Sequence, residues 1–258
     1  QGMPAIAMTD HGNLFGAFDF YKQAKKAGVK PIIGLEAYVA PETRFDKRRV
    51  QWAEGGEDDV SGGGAYTHMT LLAENNEGLA NLYRLASLSS LEGFYYKPRI
   101  DRELLNKYAK GIIGTTGCVG GEVATRLRLG NYKEALKAAS EFRDIFGKDN
   151  FFVEIMHHDI EVENRVKADL LKLSKDLNIP LLATNDLHYT YKEDAQAHEK
   201  TKPGQTGTGR PDLQGVFTPA AFGDRPGLLE QRPAVTCAVW QHRPFSSGSV
   251  DLRSPDPL

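Results

Sequence analysis

Side chains that bind metal ions recur along this sequence at the points where short apolar runs begin or end. Imidazole, carboxylate and thiolate groups together suit zinc or a similar transition metal, and a carboxylate can bridge two ions. Clustered metal ions activate water and stabilise the charge on a phosphoryl group, so this set indicates phosphoester hydrolysis. The candidate ligands are His11, Glu36, His68, Cys118, Asp186 and His188.

Each candidate taken alone also has a purely structural interpretation. A single histidine after a strand is commonly a hydrogen-bonded surface residue, and Cys118 among glycines could be a small buried filler. Glu36 inside an apolar run is costly to bury unless it is paired. Asp186 and His188 are two positions apart, so in an extended segment their side chains would point the same way. The set therefore favours a metal site more strongly than any one member does.

Five further residues of similar type are not interpreted as ligands. Asp10 is expected to orient a neighbouring ligand rather than to bind an ion itself. His157 and His158 end a predicted strand, but consecutive side chains point apart, so we predict a structural role for both. His198 and His242 have no supporting context.

The apolar runs alternate with helical patterns, which predicts βαβ connections and a parallel sheet. Because the strands are almost continuously apolar, both of their faces should be buried, which favours a closed or nearly closed barrel. The carboxyl ends of the strands of such a barrel share one rim, where active sites gather. The predicted strands are 4–9, 31–39, 67–73, 111–116, 151–156 and 180–184, and the predicted helices are 13–27, 77–91, 132–146 and 160–177.

Composition and charge limit the functional classes. The chain has 258 residues, of which 40% are hydrophobic and 26% charged, as in a soluble globular protein. Residues 1–199 hold 25 Lys and Arg against 29 Asp and Glu, without the basic excess of a protein that grips DNA by itself. Cys118 and Cys237 cannot form a disulfide framework, which predicts a reducing, cytoplasmic location. No apolar run approaches the roughly 20 residues that cross a membrane.

Two regions depart from the alternating pattern. The polar, glycine-rich segment 42–64 is predicted to be a mobile surface insertion. The tail, residues 200–258, contains eight of the 13 prolines and no sustained periodicity, so little stable structure is expected there. We therefore divide the chain into a domain at 1–199 and a tail at 200–258. Composition favours a frame-shifted tail over a natural linker.

Several separated motifs of the domain resemble one family. The run from Gly2 to Pro41, with GFYYKPRID (Gly93–Asp101), TTGCVGGEV (Thr115–Val123) and ATNDLHYT (Ala183–Thr190), is similar to the PHP (polymerase and histidinol phosphatase) domain of bacterial DNA polymerase III alpha subunits. The resemblance implies an α/β fold, a distorted (βα)7 TIM-like barrel, here without the family's first strand and its His-x-His motif. It also implies that the six candidate ligands match the family's ligand motifs, for divalent ions such as Zn, Mn or Fe.

The resemblance further implies that the chain is an N-terminal fragment of a replicative DNA-directed DNA polymerase, a nucleotidyltransferase, without the polymerase active site. It would be at most a metal-dependent phosphoesterase with a partial 3′–5′ exonuclease site. The implied partners are DNA and deoxynucleotides, through the parent polymerase, and other replisome subunits. Two alternatives stay open: a free-standing PHP phosphoesterase resembling histidinol phosphatase, and a non-catalytic scaffold module that binds other replisome subunits.

Overall fold

A computed structural model describes residues 3–52 and 61–189, together with the backbone of residues 239–240. All six predicted strands and all four predicted helices are present in these residues, with end points shifted by a few positions. The strands are β1 (Ala5–His11), β2 (Lys30–Val39), β3 (Thr67–Ala73), β4 (Arg99–Ile100), β5 (Ile112–Thr115), β6 (Phe151–Ile155), β7 (Leu181–Ala183) and β8 (Val239–Trp240). The helices are α1 (Ala17–Lys26), α2 (Asn76–Leu91), α3 (Arg102–Tyr108), α4 (Glu122–Arg128), α5 (Tyr132–Phe146) and α6 (Glu161–Leu177), and Ser61–Gly64 forms a short 3-10 turn.

The strands form one curled half-barrel sheet in the order β7-β6-β5-β3-β2-β1-β8, with β4 added beside β2. The curl brings the two sides of the sheet together at one rim. His11 ends β1 and His188 follows β7, yet their ring centroids lie 6.1 Å apart. This is the mixed α/β architecture expected of a distorted PHP-type barrel.

The prediction of a wholly parallel sheet was wrong at β3, which runs antiparallel to both β2 and β5. The sequence of a strand reveals its period and burial but not its direction, which depends on the strands that it pairs with. The reversal places the start of β3, not its end, at the rim where β1 and β2 end. His68, the second residue of β3, therefore reaches the same rim as His11.

One apolar core lies between the sheet and the helices that cover it. Helix α5 shows how the sequence builds this core, because its buried residues recur every three or four positions, on one face of the helix. Phe146 from this face stacks on Phe151 of β6, with ring centroids 5.9 Å apart. The buried residues of α5 are Ala135, Ala138, Ala139, Phe142 and Phe146.

Helix α2 approaches the turn before β5 so closely that only glycine fits at the contact. Gly78 lies in the first turn of α2, and a Cβ built there would be 1.6 Å from the carbonyl oxygen of Gly111. The same turn is held by the side chain of Asn75, which caps α2 by accepting a hydrogen bond from the Gly78 amide at 3.0 Å.

Two buried arginines hold the connection between β2 and β3, so the described part of segment 42–64 is anchored rather than loose. Arg44 pairs with Asp101 at 3.0 Å and with Glu92 at 2.6 Å. Arg99 is fully buried and donates four hydrogen bonds of 2.8–3.0 Å, all to backbone carbonyl oxygens. Its acceptors are the carbonyls of Arg44, Asp46, Ala65 and Gly93.

The tail contributes two residues to the described structure. Val239–Trp240 pairs parallel with β1 at Ala7 and Met8. The rest of residues 200–258 and positions 53–60 of the insertion lie outside the described residues, so the low order expected there, and the division at 199, stay predictions. Among the helices that the structure describes, none combines the length and the apolar character needed to span a bilayer.

Candidate metal site

Three adjacent strands bring His11, Glu36 and His68 together at the rim. His11 lies opposite Glu36 in the β1–β2 register, and His68 lies opposite Tyr38, two residues beyond Glu36, in the β2–β3 register. Residues two apart on a strand share a face, so Glu36 and His68 are diagonal neighbours on one side of the sheet. An oxygen of Glu36 lies 2.6 Å from Nδ1 of His68 and 3.5 Å from Nε2 of His11. One ligand atom from each of the three residues lies within 4.8 Å of the other two.

The electrostatics of this trio keep its carboxylate ionised. Burial opposes ionisation of Glu36, but the charge on His11 and the hydrogen bond from His68 outweigh it and lower the Glu36 pKa to about 2. Burial alone would lower the pKa of His68, but its hydrogen bond to Glu36 raises it. Glu36 therefore presents an anionic oxygen at neutral pH, which is the state that a cation requires.

Cys118 follows β5 and joins the trio from the neighbouring strand. Its Sγ lies 3.7 Å from Nδ1 of His68 and accepts a hydrogen bond from the Gly120 amide at 3.4 Å. The loop is fixed to β3 because the His68 amide donates to the Gly120 carbonyl at 3.0 Å. Burial, reinforced by the charges of Glu36 and Asp186, raises the pKa of the Cys118 thiol well above its ordinary value.

Asp186 and His188 reach the rim after the end of β7, but not in the extended segment that was predicted to point both side chains the same way. The strand ends at Ala183 and Asp186 has a φ of 41°, so a turn rather than an extended segment sets their directions. Nδ1 of His188 donates to the Asp186 carbonyl at 2.8 Å, which leaves Nε2 as the nitrogen that carries a lone pair in the neutral ring. Burial raises the Asp186 pKa, with a further rise from the charge of Glu36.

The predicted structural role of His158 agrees with its contacts. His158 is buried, and its Nδ1 donates to Glu163 at 2.6 Å while its Nε2 donates to the carbonyl of Asn185 at 3.0 Å. The backbone carbonyl of Asn185 can only accept, so Nε2 carries a proton, and the carboxylate of Glu163 favours a second proton on Nδ1. Burial opposes the charge of the doubly protonated ring, but Glu163 outweighs it and raises the His158 pKa. The ion pair thereby fixes the backbone next to Asp186.

Asp10 is buried beneath the same rim. Its Oδ2 accepts a hydrogen bond from the Gly16 amide at 3.0 Å, which ties the end of β1 to the start of α1. This contact is to the backbone and not to a candidate ligand, so the orienting role predicted for Asp10 stays a prediction.

Glu154 is a buried acid that the sequence interpretation missed. It lies in β6, where its carboxylate accepts hydrogen bonds from the hydroxyls of Thr115 and Thr184, the latter at 2.6 Å. Burial raises the pKa of Glu154 to about 7, against the lowering effect of both hydroxyls, and the charge of Asp186 adds to the rise. An acid inside the apolar run FFVEIM is the same signal that singled out Glu36, and it would have identified this residue.

The structure thus places all six candidate ligands on one rim, with His11, Glu36 and His68 in direct contact and Cys118 beside them. His188 lies at the same rim, with its ring centroid 6.1 Å from that of His11, and the charge of Asp186 raises the pKa of Cys118 there.

Comparison with known proteins gives a family and a set of relatives. Residues 1–158 match the PHP domain. The DNA polymerase III subunit alpha of Saccharopolyspora erythraea is 56% identical over 205 residues, which are 76% of this chain and 17% of the relative. The same subunit of Mycobacterium tuberculosis (strain ATCC 25618 / H37Rv) is 55% identical over 209 residues, 80% of this chain and 18% of the relative. That of Thermus aquaticus is 43% identical over 244 residues, 95% of this chain and 19% of the relative. The chain spans less than a fifth of these curated relatives.

Proposed function

Because this chain belongs to the PHP domain family, we propose that its rim cluster binds divalent transition-metal ions and hydrolyses a phosphoester bond at the 3′ end of a nucleic-acid strand. The observation that carries the proposal is the trio His11, Glu36 and His68, whose ligand atoms lie within 4.8 Å of one another. Cys118, Asp186 and His188 complete the proposed ligand set.

The donors of this rim fit a zinc-like ion. Two imidazoles and a carboxylate form a ligand set that proteins use for catalytic zinc, and a thiolate is acceptable to the same ion. Glu36 is a buried carboxylate, and its charge raises the pKa of the nearby Asp186 carboxyl, so the two acids lie close enough to interact. A divalent cation at the rim would stabilise the ionised forms of both carboxyl groups and of the Cys118 thiol, because its positive charge offsets their negative charges.

When bound, such an ion would lower the pKa of a water molecule and stabilise the charge of a phosphoryl group. The chain's own residues prepare the rim for this. Glu36 holds His68 through the 2.6 Å contact and so fixes the direction of its ring. His188 is oriented by its hydrogen bond to the Asp186 carbonyl. His158, which pairs with Glu163, also binds the carbonyl of Asn185, the residue before Asp186.

We further propose that the chain acts as the PHP part of a replicative DNA-directed DNA polymerase in the bacterial cytoplasm. The support is the identity of 43–56% to DNA polymerase III alpha subunits. DNA, deoxynucleotides and other replisome subunits would then be partners of the whole protein. These relatives do not favour a free-standing phosphatase of small esters.

Metal content and hydrolysis test the proposal together. The purified chain is loaded with Zn²⁺ or Mn²⁺, its bound metal is measured by mass spectrometry, and removal of the last nucleotide from a 5′-labelled oligonucleotide is followed. Glu36→Gln keeps the size of the side chain but removes its charge. We expect it to lower both metal content and rate, the rate by at least about 100-fold.

Glu77→Gln is the matched control, because Glu77 is an exposed acid of α2 that pairs only with Lys110 among the described residues. It should change neither quantity. Metal binding and hydrolysis that survive Glu36→Gln at the level of Glu77→Gln would exclude the rim cluster. Metal binding without hydrolysis would favour the scaffold module.

A further inference from the structure

Aromatic rings and cations lie between the candidate metal site and the solvent-exposed surface. Tyr38 lies against two of the proposed ligands, with its ring centroid 5.3 Å from that of His68 and 6.1 Å from that of His11. Tyr66 stacks on His68 at 5.9 Å and meets Tyr38 edge-on at 4.8 Å. These two tyrosines form the inner end of what we call the aromatic track, which consists of Tyr38, Tyr66, Tyr96, Lys97 and Arg49.

The outer end of the aromatic track reaches solvent. The ammonium of Lys97 lies 5.6 Å from the ring centroid of Tyr38, so this exposed lysine sits directly above the inner end. Tyr96, its chain neighbour, is 59% exposed. The guanidinium carbon of Arg49 lies 5.2 Å from the Tyr96 ring centroid. An exposed ring beside one cation, Arg49, and next in the chain to a second, Lys97, combines a stacking surface with positive charge.

The two cations of the aromatic track are not neutralised by the residues that the structure describes. Arg48 is held by Asp46 at 2.6 Å, but neither Arg49 nor Lys97 forms an ion pair within the described ranges. The charge of Lys97 also reaches the rim, because it lowers the His68 pKa. Within the described residues, the approach to the candidate metal site thus carries two cations without an ion-pair partner, in a domain whose overall charge is acidic.

The buried Arg99 makes the outer end rigid. It binds the carbonyl of Gly93 at 3.0 Å and lies 5.0 Å from the ring centroid of Tyr95, which in turn contacts Tyr96 at 4.5 Å. The same guanidinium binds the carbonyls of Arg44 and Asp46, in the segment that carries Arg49. Both sides of the track therefore share one anchor, so little ordering is needed when a ligand binds.

We propose that the aromatic track holds the last nucleotides of a single-stranded nucleic acid and directs its 3′ end to the rim cluster. A base stacks on the exposed face of Tyr96, and Lys97 and Arg49 contact the phosphates on either side of it. The inference rests on the proposed function and adds the residues that select a strand end over a small phosphate ester. Single strands are favoured over duplexes because stacking on a side chain requires an unpaired base.

Direct binding tests the track without any turnover. A fluorescently labelled single-stranded oligodeoxynucleotide is titrated with the full chain in the presence of a chelator, and its anisotropy is measured. Tyr96→Ala should weaken binding on the order of tenfold, as expected for loss of one base–aromatic stack. Tyr96→Phe should restore it, because the ring remains. Tyr83→Ala is the control, since Tyr83 is a 50% exposed tyrosine of α2 outside the track, and it should have no effect.

The charge component is tested by salt. The double variant Arg49→Gln, Lys97→Gln should bind more weakly and with a shallower dependence on salt, the slope falling by about 0.7 for each lost phosphate contact. Equal binding by wild type and Tyr96→Ala would overturn the track even if Glu36→Gln abolishes hydrolysis. Equal or tighter binding of a blunt duplex, or of an acidic peptide, would overturn it as well. If binding depends on Tyr96 but no metal-dependent hydrolysis is found, the proposed function is contradicted and the aromatic track is still supported.

Discussion

Replacing Arg99 by methionine should destabilise the domain far more than the loss of a surface arginine. The side chain is fully buried, and its four hydrogen bonds end on carbonyl oxygens rather than on a carboxylate. Each buried hydrogen bond contributes about 1 kcal/mol net. Methionine replaces the aliphatic part of the side chain but donates none of the four hydrogen bonds, so we expect the free energy of unfolding to fall by about 4 kcal/mol.

Urea unfolding followed by circular dichroism measures this change. Arg48→Met is the matched control, because Arg48 is 83% exposed and pairs only with Asp46 among the described residues; we expect a loss below about 1 kcal/mol. Arg99→Lys should recover only part of the loss, since an ammonium cannot reproduce the planar fork of a guanidinium. A cost for Arg99→Met that does not exceed that of Arg48→Met would refute the claim that this residue anchors the connection between β2 and β3.

Two further changes test the packing and the buried charge. The native pKa of Glu154, about 7, lies above its ordinary value of 4.5, so between these values the native state binds more protons and stability falls as pH rises. Glu154→Gln should remove the contribution of Glu154 to that fall in chemical denaturation series made in chelator, while the raised pKa of Asp186 leaves a smaller fall. An unchanged slope would contradict the assignment. Gly78→Ala forces a Cβ to 1.6 Å from the Gly111 carbonyl oxygen and should cost more than about 2 kcal/mol. Gly28→Ala, where a Cβ meets nothing within 4 Å, should cost only about 1 kcal/mol through its φ of +72°; equal urea midpoints for the two variants would exclude the close contact.

The long helices and strands were predictable because the spacing of apolar residues in the sequence indicates both the type of element and the side that is buried. Six apolar runs became strands, and α5 begins and ends at the predicted residues. The short helices α3 and α4 were missed because seven residues carry too few turns to reveal a helical period. A capping signal was nevertheless present for α3, since Asp101 accepts a hydrogen bond from the Leu104 amide at 3.0 Å.

The sequence indicated which residues lie at the rim but not the directions in which their side chains point. Glu36 was singled out because an acid inside an apolar strand needs a partner, and it contacts two histidines. The turn at Asp186 could not be foreseen, since a φ of 41° in a non-glycine residue is imposed by tertiary contacts such as the His158–Asn185 hydrogen bond. Glu154 was missed because the rule that a buried acid needs a partner was applied to the second strand and not to the fifth. The role of the six candidate residues as metal ligands stays a proposal.

The direction of β3 also determines which connection of the domain can change in length and sequence next to the rim. A parallel successor to β2 would require a crossover that begins at one edge of the sheet and returns at the opposite edge. Because β3 runs antiparallel to β2, the chain between Val39 and Thr67 departs and re-enters on the ligand-bearing side. Arg99 holds the carbonyls of Arg44, Asp46 and Ala65 in this stretch, so insertions elsewhere in it would leave the pairing of β2 with β3 in place. Changes in this connection away from the three residues that Arg99 holds can therefore alter the entrance to the rim while the order of the strands stays the same.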